Sequence, residues 1–155
     1  DMAADKRKQI VEELTVAYWM EIETVMNYLA NSTNLDGVRA EEIKKSLAAD
    51  ITAELGHAQT LARRIKTLGG LVPGSKSFEA AQSPLQPPKD TTDVVAVIKG
   101  VIAAEECAIA QYNKIIKVCD GVDYVTQDLA ITTLADEEDH RRDFLGFLAE
   151  YEKRR

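Results

Sequence analysis

Apolar residues recur along this chain at intervals of three and four in four separate stretches, and each stretch carries a glutamate within its hydrophobic stripe. Such spacing predicts amphipathic helices, because residues three and four apart share one helix face. From about Asp5 to Leu35 the stripe is Ile10, Leu14, Ala17, Glu21, Val25 and Tyr28, closed by Asn34, Asp36 and Gly37. From about Val38 to Leu68 it is Ile43, Leu47, Ile51, Glu54, Ala58, Leu61, Ile65 and Leu68, with Gly69-Gly70 as the stop. A third helix, capped by Thr91 or Thr92, carries Val95, Ile98, Ile102, Glu105, Ile109, Tyr112 and Ile116. Asp120-Gly121 breaks it, and Asp123 caps a fourth helix running to about Glu152 with Ala130, Thr133, Leu134, Glu137, His140, Phe144, Leu148 and Tyr151 on one face.

Between Gly69 and Asp90 stand Pro73, Pro84, Pro87 and Pro88, so this stretch cannot be one helix. A short helical turn at Ser77 to Gln82 is expected within it. Its length suits a crossover from one end of a bundle to the other. The expected fold is therefore all-α: two antiparallel helical hairpins joined by one long crossover, in a single domain over 1–155. Among four-helix bundles this connection belongs to the ferritin-like type.

Composition narrows the function. The formal net charge of −7 argues against general affinity for nucleic acid or anionic membranes and favours cations. Lys6-Arg7-Lys8 and Lys153-Arg154-Arg155 read as solvated helix ends. No apolar run reaches the roughly 18 residues of a membrane span, and no signal-peptide pattern opens the chain, so the cytoplasm is the expected location.

The chain has two histidines, and each follows a glutamate by three residues, as Glu54-x-x-His57 and Glu137-x-x-His140. Each pair can aim a carboxylate and an imidazole at one point. A buried carboxylate without a counter-charge costs several kcal/mol. Four at similar depth are explained together by two divalent cations. Helical phase selects Glu21 over Glu23, Glu105 over Glu106 and Glu137 over Glu138. The candidate ligand set is therefore Glu21, Glu54, His57, Glu105, Glu137 and His140. Donors rich in carboxylate with one imidazole per metal suit iron or manganese.

Glu21-Ile22 followed by Asn27-Tyr28-Leu29, and Asp123-Tyr124-Val125 leading to Asp136-Glu137-Glu138-Asp139-His140, resemble the first-helix and fourth-helix segments of bacterioferritins. On these residues the chain resembles the ferritin-like superfamily, specifically bacterioferritins and Dps-like mini-ferritins, over nearly its whole length. The resemblance implies that Glu54 and Glu137 bridge two iron ions per chain, with Glu21 and His57 terminal on one side and Glu105 and His140 on the other. It implies a ferroxidase that oxidises Fe(II) with peroxide or dioxygen and stores the product. Bacterioferritins place a haem-ligating methionine where this chain has Leu55, so no haem is expected. The absence of room for a fifth helix after His140 and the long crossover imply a homo-oligomeric cage of 12 subunits rather than 24. A di-metal peroxidase, catalase or oxygenase without a cage is the alternative, and a metal-free helical binding module a second one.

Cys107 and Cys119 are expected as two reduced thiols, since one straight helix would hold them about 18 Å apart. Tyr28 and Tyr112, each seven residues after a stripe glutamate, are expected in the interior. They serve as core residues, as hydrogen-bond partners of the ligands or as one-electron donors. Asp50, one turn before Glu54, either supports a ligand or sits at the edge of the stripe.

Overall fold

In the computed structural model, which describes residues 2–153, four α-helices follow the predicted order, with no strand among the described residues. They are α1 (Ala4–Asn34), α2 (Glu41–Thr67), α3 (Val94–Cys119) and α4 (Tyr124–Lys153). Arg154 and Arg155 of the C-terminal basic cluster lie outside the described residues. No described helix is long and apolar enough to cross a membrane.

The closest packing is within hairpins, α1 on α2 and α3 on α4, with α1 also against α3. The first turn passes through Gly37, whose φ of 97° lies in the left-handed region, and a 3-10 turn at Val38–Ala40 precedes α2. The regular helix therefore begins at Glu41, not at Val38. At the other end of α2, Gly69 takes a φ of 86°. That allows the Gly69 N–H to donate to Lys66 O and the Gly70 N–H to Ile65 O, the paired bonds of a Schellman ending.

The expected cap of α3 is corrected. Asp93, not Thr91 or Thr92, accepts from the Ala96 N–H at 3.1 Å. The threonines are engaged elsewhere. Thr91 donates its hydroxyl to Asp36 Oδ2 and its carbonyl accepts from the Asp36 N–H, tying the α1–α2 turn to the start of α3. Thr92 donates to Asp90 Oδ1 through both its N–H and its hydroxyl. Asp123 does cap α4, accepting from the Thr126 N–H, and it also pairs with Arg64 of α2 at 2.9 Å.

The crossover differs in detail from expectation. Ser77 to Gln82 forms no single helical turn; 3-10 turns at Ser75–Ser77 and Ser83–Leu85 flank an irregular stretch. The reason is Glu23, buried on the outer side of α1. Its carboxylate accepts the N–H groups of both Ala81 and Gln82 at 2.9 Å, which holds those donors away from local helical bonds. Gln82 then reaches Thr24 and Asn27, and Asn31 donates to Leu85 O. This strap covers a second face of α3, so Val94, Val97 and Val101 are buried while Val95, Ile109 and Ile116 of the expected stripe are only half-buried.

The apolar interior falls into two clusters. One gathers Ile43, Leu47, Leu85, Ile98, Ile102 and Phe144; the other gathers Ile10, Leu14, Leu61, Ile65, Ile115 and Ala130. In every helix the stripe glutamate lies in sequence between its contributions to the two. Cys119 is buried in the second cluster, Cys107 is exposed, and both thiols are free.

Gly100 sits where α3 meets the strap, and a Cβ there would stand 2.3 Å from the Pro84 carbonyl oxygen. Backbone on both sides leaves no flexible side chain to move away. Gly100→Ala is expected to destabilise the protein by about 1–3 kcal/mol, the usual range for overpacking. Denaturant midpoints of the variant and parent check this.

Candidate metal centre

Glu21, Glu54, Glu105 and Glu137 are each only 1–2% exposed and come from the four different helices. They meet because each replaces an apolar residue at mid-stripe, where the helical period already points inward. His57 follows Glu54 by one turn and His140 follows Glu137 by one turn, with side chains 11% and 16% exposed. Phase also accounts for the neighbours: Glu106 and Glu138 are exposed, and Glu23 turns to the crossover.

The six side chains form two overlapping groups. Ligand atoms of Glu21, Glu54, His57 and Glu137 lie within 4.8 Å of one another, as do those of Glu54, Glu105, Glu137 and His140. Glu54 and Glu137 belong to both groups. His57 Nδ1 lies 3.1 Å from Glu137 Oε1 and 3.6 Å from carboxylate oxygens of Glu21 and Glu54. His140 Nδ1 lies 3.1 Å from Glu54 Oε1 and 3.8 Å from Glu105 Oε1.

Two tyrosines link the hairpins. Tyr28 of α1 donates to Glu105 Oε1 of α3, and Tyr112 of α3 donates to Glu21 Oε1 of α1, both at 2.7 Å. Of the expected roles, the geometry supplies both the core position and the hydrogen bond to a stripe glutamate. Each bond satisfies one oxygen and leaves the other facing the cluster. The buried side-chain atoms without a hydrogen-bond partner among the described residues are Glu21 Oε2, Glu105 Oε2, Glu137 Oε1, His57 Nδ1 and Asn31 Oδ1. All but the last are in this cluster. An unsatisfied buried polar group costs about 1–3 kcal/mol, so their concentration at one place calls for an occupant that accepts lone pairs.

The electrostatics agree. Burial, then the nearby Glu54 charge, raises the Glu21 pKa from 4.5 to about 8. Burial raises Glu137 to about 7 despite the nearness of Glu105 and His57, which pulls it down. Glu105 is raised well above the ordinary value by burial and by Glu137. Burial pushes Glu54 upward too, but the neighbouring Glu21, the His140 imidazole that hydrogen-bonds it and the nearby His57 overcome it and hold its carboxyl low. Burial opposes charge on the imidazoles, yet contacts with Glu137, Glu21 and Glu54 hold the His57 pKa well above its usual value, and those with Glu105 and Glu54 raise His140 to about 11. Without a cation, shared protons relieve the crowding.

Asp50, the possible support named from the sequence, lies 3.7 Å from His140 Nε2, and burial raises its pKa to about 6. Asp136 escaped the sequence reading although it contacts His57 Nε2 at 2.9 Å. It lies one residue off the stripe phase and is 55% exposed, so periodicity placed it outside the site.

The model of the Ferritin-like domain matches residues 11–153. The chain belongs to the ferritin-like family. The bacterioferritin of Desulfovibrio desulfuricans is 25% identical over 137 residues, which are 88% of this chain and 72% of that protein. The DNA protection during starvation protein of Pyrococcus furiosus is 26% identical over 137 residues, 86% of this chain and 73% of that one. Among solved structures, the dodecameric thioferritin of Bacteroides fragilis, a bacterioferritin-related protein, matches with a TM-score of 0.86 at 28% identity, covering 95% of this chain and 88% of that one. The bacterioferritin of D. desulfuricans, solved with a diiron site, has the same fold with a TM-score of 0.81 at 23% identity, covering 96% and 83%. The fold and the bacterioferritin and Dps-like kinship expected from the sequence are thereby established.

The raised pKa values fix how the metal-free ferritin-like fold responds to pH. Glu21 binds its proton more tightly when folded, at about 8 against 4.5 unfolded, so its carboxyl favours the unfolded chain increasingly as pH rises between those values. Glu137 acts the same way up to about 7 and His140 up to about 11, while Glu54 acts oppositely only below 4.5. Chelator-treated protein is expected to lose stability from about pH 5 to about pH 8, and Glu21→Gln to flatten that loss. Denaturant midpoints at the two pH values measure both.

Proposed function

We propose that this protein is a ferroxidase of the iron-storage type, oxidising Fe(II) with peroxide or dioxygen at a di-iron site within each subunit. The observation that carries the reading is the set of partnerless buried atoms, Glu21 Oε2, His57 Nδ1, Glu105 Oε2 and Glu137 Oε1, gathered in two groups that share Glu54 and Glu137. In this reading Glu54 and Glu137 bridge. Glu21 and His57 complete one position, and Glu105 and His140 complete the other. Hard oxygen donors with one imidazole each suit Fe(II) or Mn(II). The kinship with bacterioferritin favours iron.

Two Fe(II) held side by side supply one electron each, so one peroxide can accept both electrons with two protons and leave as two waters. The chain's part is positional. Glu54 and Glu137, shared by both groups, would hold the two ions together, and the Tyr28 and Tyr112 hydroxyls fix which oxygen of Glu105 and of Glu21 faces the cluster. The apolar clusters on either side limit water at the site. Leu55 is aliphatic and offers no axial ligand, so the reading includes no haem.

Storage needs an enclosed volume that one bundle lacks. The proposal therefore includes a closed homo-oligomer, with 12 subunits as in the thioferritin of B. fragilis, and closed point-group symmetry is the general habit of homo-oligomers.

Anomalous scattering at the iron edge is expected to give two peaks per chain about 3.5–4 Å apart, as in other two-metal sites. A single peak, or ligation by Glu23 or Glu106, overturns the ligand set. Glu54→Ala and Glu137→Ala are expected to abolish fast Fe(II) oxidation in stopped-flow absorbance while the metal-free fold is unchanged or stabilised. A full rate in either variant rejects the di-iron reading. Light scattering on tag-free protein is expected to give a particle of about twelve chains, and a stable monomer or dimer removes the storage role in favour of a peroxidase or oxygenase.

A further inference from the structure

α1 and α3 border an apolar slot on the side of the bundle that the crossover covers. Both walls follow the helical period. Val16, Trp19, Met20 and Glu23 line it from α1, and Gly100, Ala103, Ala104 and Cys107 line it from α3. Pro84 and Leu85 of the strap close one side. The α3 row consists of small side chains, and the strap backbone lies against Gly100, so nothing from α3 fills the space. Trp19 is half-buried, and Phe78 of the strap braces its ring with centroids 5.2 Å apart. The cavity measures about 290 Å³. That is close to the lower end of small-molecule sites and about twice the ~150 Å³ hollow that admits benzene in an engineered core.

Two carboxylates mark one end of the slot. Glu23 is only 4% exposed. It accepts the N–H groups of Ala81 and Gln82, yet no lysine, arginine or histidine among the described residues pairs with it. Glu79 stands two residues before Ala81, lines the same slot, is exposed, and forms no ion pair among the described residues. Neutral N–H groups satisfy the hydrogen bonding of Glu23 without balancing its charge, and a buried carboxylate lacking a counter-charge is unfavourable. The charge complementary to this end is positive, while the remaining walls offer only apolar contact. A bare metal ion would leave those walls uncovered. One turn of a helix about 10 Å wide occupies roughly 420 Å³, so the slot does not seat a segment of a second chain.

We propose that this slot binds an organic amine whose body is one or two apolar rings. The rings lie between Trp19 and the wall formed by Ala103 and Ala104, and the ammonium group faces the carboxylates of Glu23 and Glu79. The site is separate from the six-residue cluster, and the proposal does not rest on the di-metal reading. The formal net charge of −7 adds a long-range attraction for such a cation.

Trp19 is the chain's only tryptophan, so its fluorescence reads the slot directly. The test titrates the assembled, metal-stripped protein with 2-phenylethylamine, and with 2-phenylethanol, 3-phenylpropionate and ethylamine for comparison. The amine is expected to give a saturable change in Trp19 fluorescence, with calorimetry returning the same affinity. The alcohol keeps the ring without the charge and is expected to bind about tenfold more weakly or worse, the ordinary effect of losing a hydrogen bond to a charged group. The propionate is repelled by the carboxylates and ethylamine lacks the ring, so neither is expected to change the signal. Glu79→Gln removes the exposed charge and is expected to weaken the amine by about 2–5-fold while leaving the alcohol unchanged. Ala103→Leu fills the slot and is expected to abolish binding of both. A second readout needs no variant. Cys107 is exposed at the slot and Cys119 is buried, so alkylation by N-ethylmaleimide reports on Cys107, and the bound amine is expected to slow it.

An unchanged Trp19 signal up to millimolar amine overturns the proposal. Equal affinities for amine and alcohol overturn it by denying the carboxylates a role, and an equal response to ethylamine does so by denying the apolar walls one. Binding that persists in Ala103→Leu places the amine elsewhere and is equally fatal. Should that variant fail to assemble, the alkylation rate of Cys107 in the parent decides the same point, and a rate unaffected by the amine rejects the slot.

Discussion

Removing a carboxylate from water with no cation beside it works against folding by several kcal/mol, and this bundle does so four times at one level. Glu21, Glu54, Glu105 and Glu137 occupy positions where leucine or isoleucine would have continued the stripe without that penalty. The apolar clusters above and below have to supply the stability that this layer withholds. A bundle folding around such a layer needs long helices with a full apolar cluster at each end. The lengths of 31, 27, 26 and 30 residues meet that need.

The same constraint explains the polar contacts that join the hairpins. α1 and α3 are linked by Tyr28 to Glu105 and Glu21 to Tyr112; α2 and α4 are linked by His57 to Glu137 and Glu54 to His140. Each pair is reciprocal, with the earlier residue of one helix meeting the later residue of its neighbour, as antiparallel neighbours require. The glutamates are thus both the destabilising element and the centre of the network that fixes how the two hairpins register. Removing a tyrosine hydroxyl would leave a carboxylate oxygen unsatisfied as well as free to turn. The same side chains therefore carry both the cost of the layer and the registry of the hairpins.

Periodicity made the helices and the inward-facing glutamates legible because burial on a helix repeats every three to four residues. It separated Glu105 from Glu106 and Glu137 from Glu138, since one step is about 100° and the stripe is narrow. It was silent wherever a side chain acts from outside the stripe. Glu23 read only as a residue facing away from the core, yet it organises the crossover by accepting two backbone N–H groups. Asp136 lies one step off the stripe and was given no role of its own, yet it contacts His57. The cap of α3 fell on Asp93 because Thr91 was engaged by Asp36 across the bundle end, a contact separated by 55 positions that no local rule contains. Local signals specify elements; the partners of polar groups depend on which elements become neighbours.

The crossover shows how those two kinds of information combine. Its prolines forbid a helix, and that much is local. Its path is set by Glu23, Asn27 and Asn31, spaced four apart on the outer face of α1, which bind the strap through Ala81, Gln82 and Leu85. Gly100 on α3 allows the strap to lie close, because any side chain there would meet the Pro84 carbonyl. A polar row on one helix and a missing side chain on another thus fix a segment with little regular structure of its own. By lying across α1 and α3, that segment holds together the two helices that carry Glu21, Tyr28, Glu105 and Tyr112. The registry of the tyrosine–glutamate pairs is therefore maintained from outside the bundle as well as from within it.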